Sequence, residues 1–227
     1  MRPVRRVWVT RAEPGAARTA GRLAALGFAP VVAPVLEIRP VAAPEPDLRG
    51  IGALAFTSPN GVEAFARLTP RRDQPVFAVG DVTAAAARAA GWNDVVSASG
   101  AIGDLERLLA DRAAGPVLAP GAREPAGDLA GRLAGRIEVR RLPVYEAVET
   151  AAPAPTDWDV VLVHSPRAAR AIVAALGAAG AGGRAAVAIS ARAAAPLAPC
   201  GFDRLDVAAA PAEAAMLEAL GNPGGDV

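Results

Sequence analysis

The stretches "ALAFTSPNGVEAF" (53–65) and "VVLVHSPRAARAI" (160–172) are one pattern written twice. Each opens with an apolar run, turns at a serine followed by proline, and continues with helical spacing. "VFAVGDVTAAAARAAGW" (76–92) answers "AVAISARAAAPLAPCGF" (186–202) at an offset of 110, and "VWVTRAEPGAARTAGRL" (7–23) answers "VLAPGAREPAGDLAGRL" (117–133) at the same offset. One such match could follow from alanine-rich composition alone. Three in step imply a duplicated strand–turn–helix half, and strands alternating with helices imply parallel sheets joined by right-handed crossovers. The strands expected are Arg5–Thr10, Val31–Val35, Leu54–Thr57, Val76–Val79, Val95–Ser97, Val117–Ala119, Val139–Tyr145, Val160–Val163, Ala186–Ile189 and Arg204–Ala208, with helices between them. That is about five strands per half, an ordinary sheet size.

The pattern fails in two places. "PVLEIRPVAAPEP" (34–46) and "RRLPVYEAVETAAPAPT" (140–156) are extended, proline-bearing and followed by no immediate helix. Read as crossovers, they predict a discontinuous α/β domain of residues 1–36 and 148–227, an inserted α/β domain of residues 41–142, and linker strands 37–40 and 143–147 forming a hinge. In such folds ligands bind outside the carboxyl ends of the strands, where the repeated turns lie. Those turns aim helix N-termini at the gap, and helix N-termini favour anions.

Composition removes competing chemistries. All 24 basic residues are arginine, so neither a Schiff-base lysine nor a P-loop lysine is available. The one histidine, His164, adjoins Ser165 on a strand, and neighbouring strand residues point to opposite faces, so it is a poor general base for that serine. His164 and the one cysteine, Cys200, are too few for a zinc site and allow no internal disulfide. The glycine cluster "GAAGAGG" (177–183) follows a helical run, the wrong side for a dinucleotide fingerprint. No metal and no cofactor are expected. A net charge of +1 suggests neither a nucleic-acid nor a membrane partner. The start "MRPVRRVWVT" has no apolar h-region and no run is long enough to span a bilayer, which predicts a cytoplasmic protein. Nothing demands more than a monomer.

The phrases "VWVTRAEPGAARTAGRLAALGFAPVVAPVLEI", "AFTSPNGVEAF", "VFAVGDVTAAAA", "RRLPVYEA" and "LVHSPRAARAI" resemble, in order and spacing, the uroporphyrinogen-III synthase family. The resemblance implies two flavodoxin-like α/β domains with parallel sheets flanked by helices, joined by a two-stranded antiparallel linker, with the active site between them. It implies a lyase without cofactor that closes the linear tetrapyrrole polycarboxylate hydroxymethylbilane into uroporphyrinogen III. In that chemistry the ring A hydroxyl leaves as water to give an azafulvene. Ring D then attacks through its substituted carbon, and the spiro intermediate fragments and recloses with ring D inverted. Amide-lined turns and arginines suit carboxylates, so the residues agree with such a substrate.

The resemblance makes Tyr145, the only tyrosine, the proton donor to the departing hydroxyl, a role open to a phenol with a pKa of about 10, which is protonated at neutral pH; the alternative is a hinge-packing aromatic. Thr83 matches a family threonine near the cleft, or is an ordinary first-turn residue. Gly80 permits close backbone approach to a propionate, or meets a turn's need for unusual dihedrals. Ser58 and Ser165 occupy equivalent turns as ligand contacts, helix caps or both, and Thr57 and Asn60 share the first of these turns. Arg11, Gly121, Arg123, Arg167 and Arg192 lie in or just after strand-end turns; the arginines are candidates for carboxylates or solvated surface charges. Ser190 stands opposite Gly80 in the repeat, beside Arg192 and Ala193 where some family members carry threonines. A competing reading is a two-lobed cytoplasmic binding or sensor protein for a polyanionic metabolite, because duplicated lobes serve either function.

Overall fold

The computed structural model describes residues 5–98, 100–125, 127–177 and 180–224. Residues 1–4 of the "MRPVRRVWVT" start and the middle of the 177–183 glycine cluster lie outside the described residues. In chain order the elements begin β1 (Arg6–Val9), α1 (Gly15–Ala25), β2 (Ala29–Val32), β3 (Leu36–Pro40), β4 (Ala53–Phe56), α2 (Pro59–Leu68), β5 (Val76–Ala78), α3 (Asp81–Ala89), β6 (Val95–Ser97) and α4 (Ile102–Arg112). They continue β7 (Val117–Ala122), α5 (Leu129–Leu133), β8 (Val139–Glu149), β9 (Val160–Val163), α6 (Pro166–Leu176), β10 (Ala185–Ala188), α7 (Ala191–Ala194), a 3₁₀ helix (Ala195–Cys200), β11 (Arg204–Val207) and α8 (Glu213–Ala219).

The chain divides into two compact units, one of Met1–Glu37 and Val148–Val227, the other of Ile38–Ala147. The first unit holds a five-stranded sheet in the order β11-β10-β9-β1-β2, every neighbouring pair parallel. The second holds a six-stranded sheet in the order β3-β8-β7-β4-β5-β6, with β8 through β6 parallel. Setting β7 and β8 on β1 and β2, and β4, β5 and β6 on β9, β10 and β11, makes the two orders coincide. The repeat is therefore circularly permuted. Its strand–helix–strand segment comes first in one unit and last in the other.

Each sheet is covered on both faces, so its central strands are apolar throughout rather than alternating. In the first unit Trp8, Val161 and Ala186 pack on one face with α6, while Val7, Val9, Val160 and Val187 pack on the other with α1 and α8. In the second, Leu54, Phe56 and Val76 meet α2 and α3, and Ala53, Ala55 and Phe77 meet α4 and α5. Each unit carries a tryptophan under an arginine: the guanidinium of Arg184 lies 4.6 Å from the Trp158 ring and that of Arg72 lies 4.1 Å from the Trp92 ring.

The expected strands all form, and four elements differ in extent. The second strand starts earlier, at Ala29, because Gly27 takes φ +86° and the Phe28 N–H closes back on the Leu23 carbonyl, ending α1 abruptly. The run after β10 gives only the four-residue α7 before a 3₁₀ helix, since Pro196 and Pro199 lack the N–H an α-helix needs. Residues 81–90 and 191–200 nonetheless show the same succession of buried and exposed positions. The helix of the 117–133 stretch is also short, five residues against eleven in α1, because β7 runs on to Ala122 through an irregularity at Gly121/Ala122. β8 extends from the expected Tyr145 to Glu149.

Candidate active site

Four strand-end turns share one backbone geometry. Ser58 (φ −159°, ψ 153°), Ser165 (−164°, 159°) and Ser190 (−163°, 160°) are extended and cap α2, α6 and α7. Each Oγ accepts a backbone N–H three residues on: Gly61 at 3.2 Å, Ala168 at 3.1 Å and Ala193 at 3.3 Å. Serine is favoured here because the first turn of a helix leaves N–H groups without intrahelical acceptors. Gly80 caps α3 with the same extended backbone (φ −168°, ψ 176°) and no side-chain bond. That corrects the expectation of unusual dihedrals, since any residue adopts this conformation. Glycine stands there because a Cβ would lie 3.0 Å from the Gly100 Cα.

In the second unit the strand order reverses between β4 and β7, the position where open parallel sheets bind ligands. Thr57, Ser58 and Asn60 follow β4 there, Thr57 exposed and the other two half-buried. The first turn of α2 seats against the end of β7, where Gly61 has no Cβ to strike the Pro120 carbonyl, 2.9 Å from where one would be. Gly121 comes alongside, since its Cβ would lie 4.0 Å from Thr57 Oγ1. Tyr145 on β8 pairs in register with Ala122, and its hydroxyl lies 2.8 Å from Ser58 Oγ. The residue is 8% exposed. Burial pushes its phenol pKa up, the Ser58 hydrogen bond opposes that, and the net shift is upward, so Tyr145 is protonated at neutral pH. Arg123 donates its backbone N–H to the Tyr145 carbonyl at 2.8 Å, and its guanidinium pairs with Glu146 at 2.9 Å. Thr83, the third residue of α3, is buried, 3% exposed, so its hydroxyl is not a surface group.

In the first unit the order reverses between β1 and β9. Arg11 follows β1, and its Nη1 lies 3.3 Å from Glu213 Oε1 and 3.4 Å from Thr19 Oγ1. Gly15 makes room, because a Cβ there would come within 2.5 Å of Arg11 Nε. Burial would raise the Glu213 carboxyl, but the Thr19 hydrogen bond and the Arg11 and Arg22 charges hold it below its ordinary value. His164 buries both ring nitrogens without a hydrogen-bond partner among the described residues, and burial, aided by the Arg11 charge, pushes its pKa down to about 4. Ser165 Oγ caps α6 by accepting the Ala168 N–H, and neither His164 nitrogen bonds to it, so no His–Ser pair forms. Arg167 is half-buried in the first turn of α6, and Arg192 is exposed in that of α7.

The structure thus brings Thr57, Ser58, Gly121 and Tyr145 into one place and commits Arg11 and Arg123 to carboxylates of the chain itself. Sequence reasoning missed Glu213 and Thr19 as partners of Arg11. Glu213 stands 202 residues away, and no local pattern links the two. Among the described residues no group of three His, Cys, Asp or Glu is placed to hold a metal ion, and no helix is long and apolar enough to cross a membrane.

A family model described as uroporphyrinogen-III synthase HemD matches residues 17–218. No curated protein matches the chain by sequence. Among solved structures, uroporphyrinogen-III synthetase from Helicobacter pylori is similar at TM-score 0.67 and 20% identity, over 97% of this chain and 98% of that one. A mutant uroporphyrinogen III synthase from the extremely thermophilic bacterium Thermus thermophilus is similar at TM-score 0.53 and 18% identity, over 96% and 97%. At such identities the structural likeness shows the shared α/β fold, and the family model carries the assignment.

Proposed function

The chain belongs to the uroporphyrinogen-III synthase family, lyases that act on hydroxymethylbilane, and from that premise we propose how its residues perform the reaction. The observation that carries the proposal is the family match across residues 17–218; the Ser58–Tyr145 contact supplies the chemistry. Tyr145 is the proton donor. Its phenol protonates the ring A hydroxyl, the carbon–oxygen bond breaks, and water leaves to give the azafulvene. Ring D attacks through its substituted carbon, the spiro intermediate fragments, and reclosure inverts ring D. The proton lost from the pyrrole carbon at reclosure returns to the Tyr145 phenolate, so the enzyme ends as it began.

The carboxylates of the substrate meet the backbone N–H groups of the turns at Ser58, Gly80 and Ser165, where α2, α3 and α6 begin, with Thr57, Asn60, Thr83 and Gly121 alongside. Ser190 and Arg192 form the equivalent fourth turn, and Arg167 adds cationic charge. Arg11 and Arg123 carry their Glu213 and Glu146 partners with them, so each attracts an anion less than an isolated arginine.

Both units are flavodoxin-like in this reading. The order β2-β1-β9-β10-β11 and its permuted counterpart β8-β7-β4-β5-β6 support it. Residues 37–40 and 143–147 are an antiparallel linker between a domain of 1–36 and 148–227 and a domain of 41–142. Supporting this, the Val41 N–H donates to the Val144 carbonyl while the Thr150 N–H donates to the Val35 carbonyl, so the paired numbers run in opposite directions.

The test is turnover of hydroxymethylbilane by a Tyr145→Phe variant. Loss of a positioned general acid lowers kcat about 100-fold, with the circular dichroism spectrum unchanged and Tm lower by only a few degrees, the cost of one lost hydrogen bond. Turnover at the wild-type rate would reduce Tyr145 to a packing residue.

A further inference from the structure

We propose that Ser58 is a positioning residue for Tyr145: its hydroxyl hydrogen is donated to the phenol oxygen, which leaves the tyrosine's own proton free for delivery. The inference rests on the reading of Tyr145 as proton donor and extends it to a residue that need not touch the reacting atoms.

The 2.8 Å contact between the two hydroxyls admits either donor. The surroundings of Ser58 decide between them. A serine hydroxyl has one hydrogen and two lone pairs. One lone pair already receives the Gly61 N–H at 3.2 Å. Ser58 also stands at the N-terminus of the ten-residue α2, where the neighbouring backbone groups are N–H donors. If Tyr145 donated into Ser58, the serine hydrogen would be left among donors. With Ser58 donating, every group finds its complement: Gly61 N–H to Ser58 Oγ, Ser58 O–H to the Tyr145 oxygen, Tyr145 O–H to the leaving hydroxyl.

The direction matters most when the proton departs. Tyr145 then becomes a phenolate in a buried place, 8% exposed. A hydrogen bond to an anion is shorter and stronger than one to a neutral oxygen, and the positive end of α2 lies behind the serine. Ser58 is therefore bound more tightly to the phenolate than to the phenol, which is how a residue raises kcat without improving substrate binding. Ser165 makes the same cap in the other unit, but the chain's one tyrosine lies in the second, so the pair exists once.

The structure also supplies the control. Gly80 occupies the equivalent turn with the same extended backbone and no side-chain cap, so Ser58→Gly is compatible with the local fold, and glycine is a tolerable N-cap. Ser58→Thr keeps both the cap and the donor. The expected result is a fall in kcat of about tenfold for Ser58→Gly with KM within twofold of wild type, and recovery to near wild-type kcat in Ser58→Thr. On a Tyr145→Phe background, Ser58→Gly should cause no further fall, because the oxygen it serves is gone. A rise in KM with kcat unchanged, or an equal fall on both backgrounds, would overturn the proposal and leave Tyr145 as donor intact. A Tyr145→Phe enzyme with wild-type kcat would overturn both readings together.

Discussion

An imidazole whose ring nitrogens are buried without a hydrogen-bond partner costs the desolvation of two polar atoms while neutral, and far more once protonated. His164 is such a group, with Arg11 and Glu213 the charged neighbours that act on it. Its folded pKa of about 4 lies below its ordinary 6.5, so the unfolded chain binds the proton first as pH falls. The stabilisation is complete above about pH 6.5 and is lost progressively down to about 4, roughly 3 kcal/mol at about 1.4 kcal/mol per pH unit. Glu213, held low by Thr19 and its arginines, acts in the same sense, and its share is lost only below the usual glutamate range. Denaturant unfolding at a series of pH values should show this slope, and His164→Leu should flatten it between pH 6.5 and 4. An unchanged slope in the variant would exclude His164 as its source. Gly80 offers a second check. Gly80→Ser copies the Ser190 turn and adds a cap, yet its Cβ meets the Gly100 Cα at 3.0 Å. Overpacking of this kind costs about 1–3 kcal/mol, more than a cap returns, so the variant should melt lower than wild type; a higher Tm would refute the packing argument.

The strand–Ser–Pro–helix phrases were legible because each part has its own physical signal: an apolar run, a cap and a proline at N1. Ser58 and Ser165 do what their positions predict, and each is followed by a helix of ten or eleven residues. Replacing Ser165 by alanine should destabilise the protein by about 1 kcal/mol, and by glycine by only a few tenths, in equilibrium unfolding. Equal costs would mean that the side chain does more than cap. Other features were illegible for equally physical reasons. The Ser58–Tyr145 contact joins residues 87 apart and depends on β8 and β7 lying beside β4, which no local pattern states. The Arg11–Glu213 pair depends on where α8 returns to the first unit's sheet. The stop at α7 was legible after all: Pro196 and Pro199 were in the sequence, and alanine-rich spacing masked them. Gly80 invites two readings from sequence, close backbone approach to a propionate or unusual dihedrals; its dihedrals are ordinary, and the backbone at Gly100 supplies a packing reason for glycine that no local pattern states.

At the scale of the whole chain, two units with one strand order, one of them circularly permuted, account for the repeat that the sequence displays. Duplication gave each unit strand-end turns with helix N-termini. Divergence placed the single tyrosine against one of those turns and a histidine with no partner beside another. The arrangement suits a reaction in which the substrate is reactive and the protein must hold it, protonate it and fix its shape. Hydroxymethylbilane closes unaided to the uninverted isomer, so the isomer formed tests the account most directly. Hydroxymethylbilane should be supplied to the purified protein, the products oxidised, and uroporphyrins I and III separated by chromatography beside a protein-free control. Predominantly isomer III should form with protein and isomer I without it. Isomer I alone, formed at the spontaneous rate in both, would contradict that expectation.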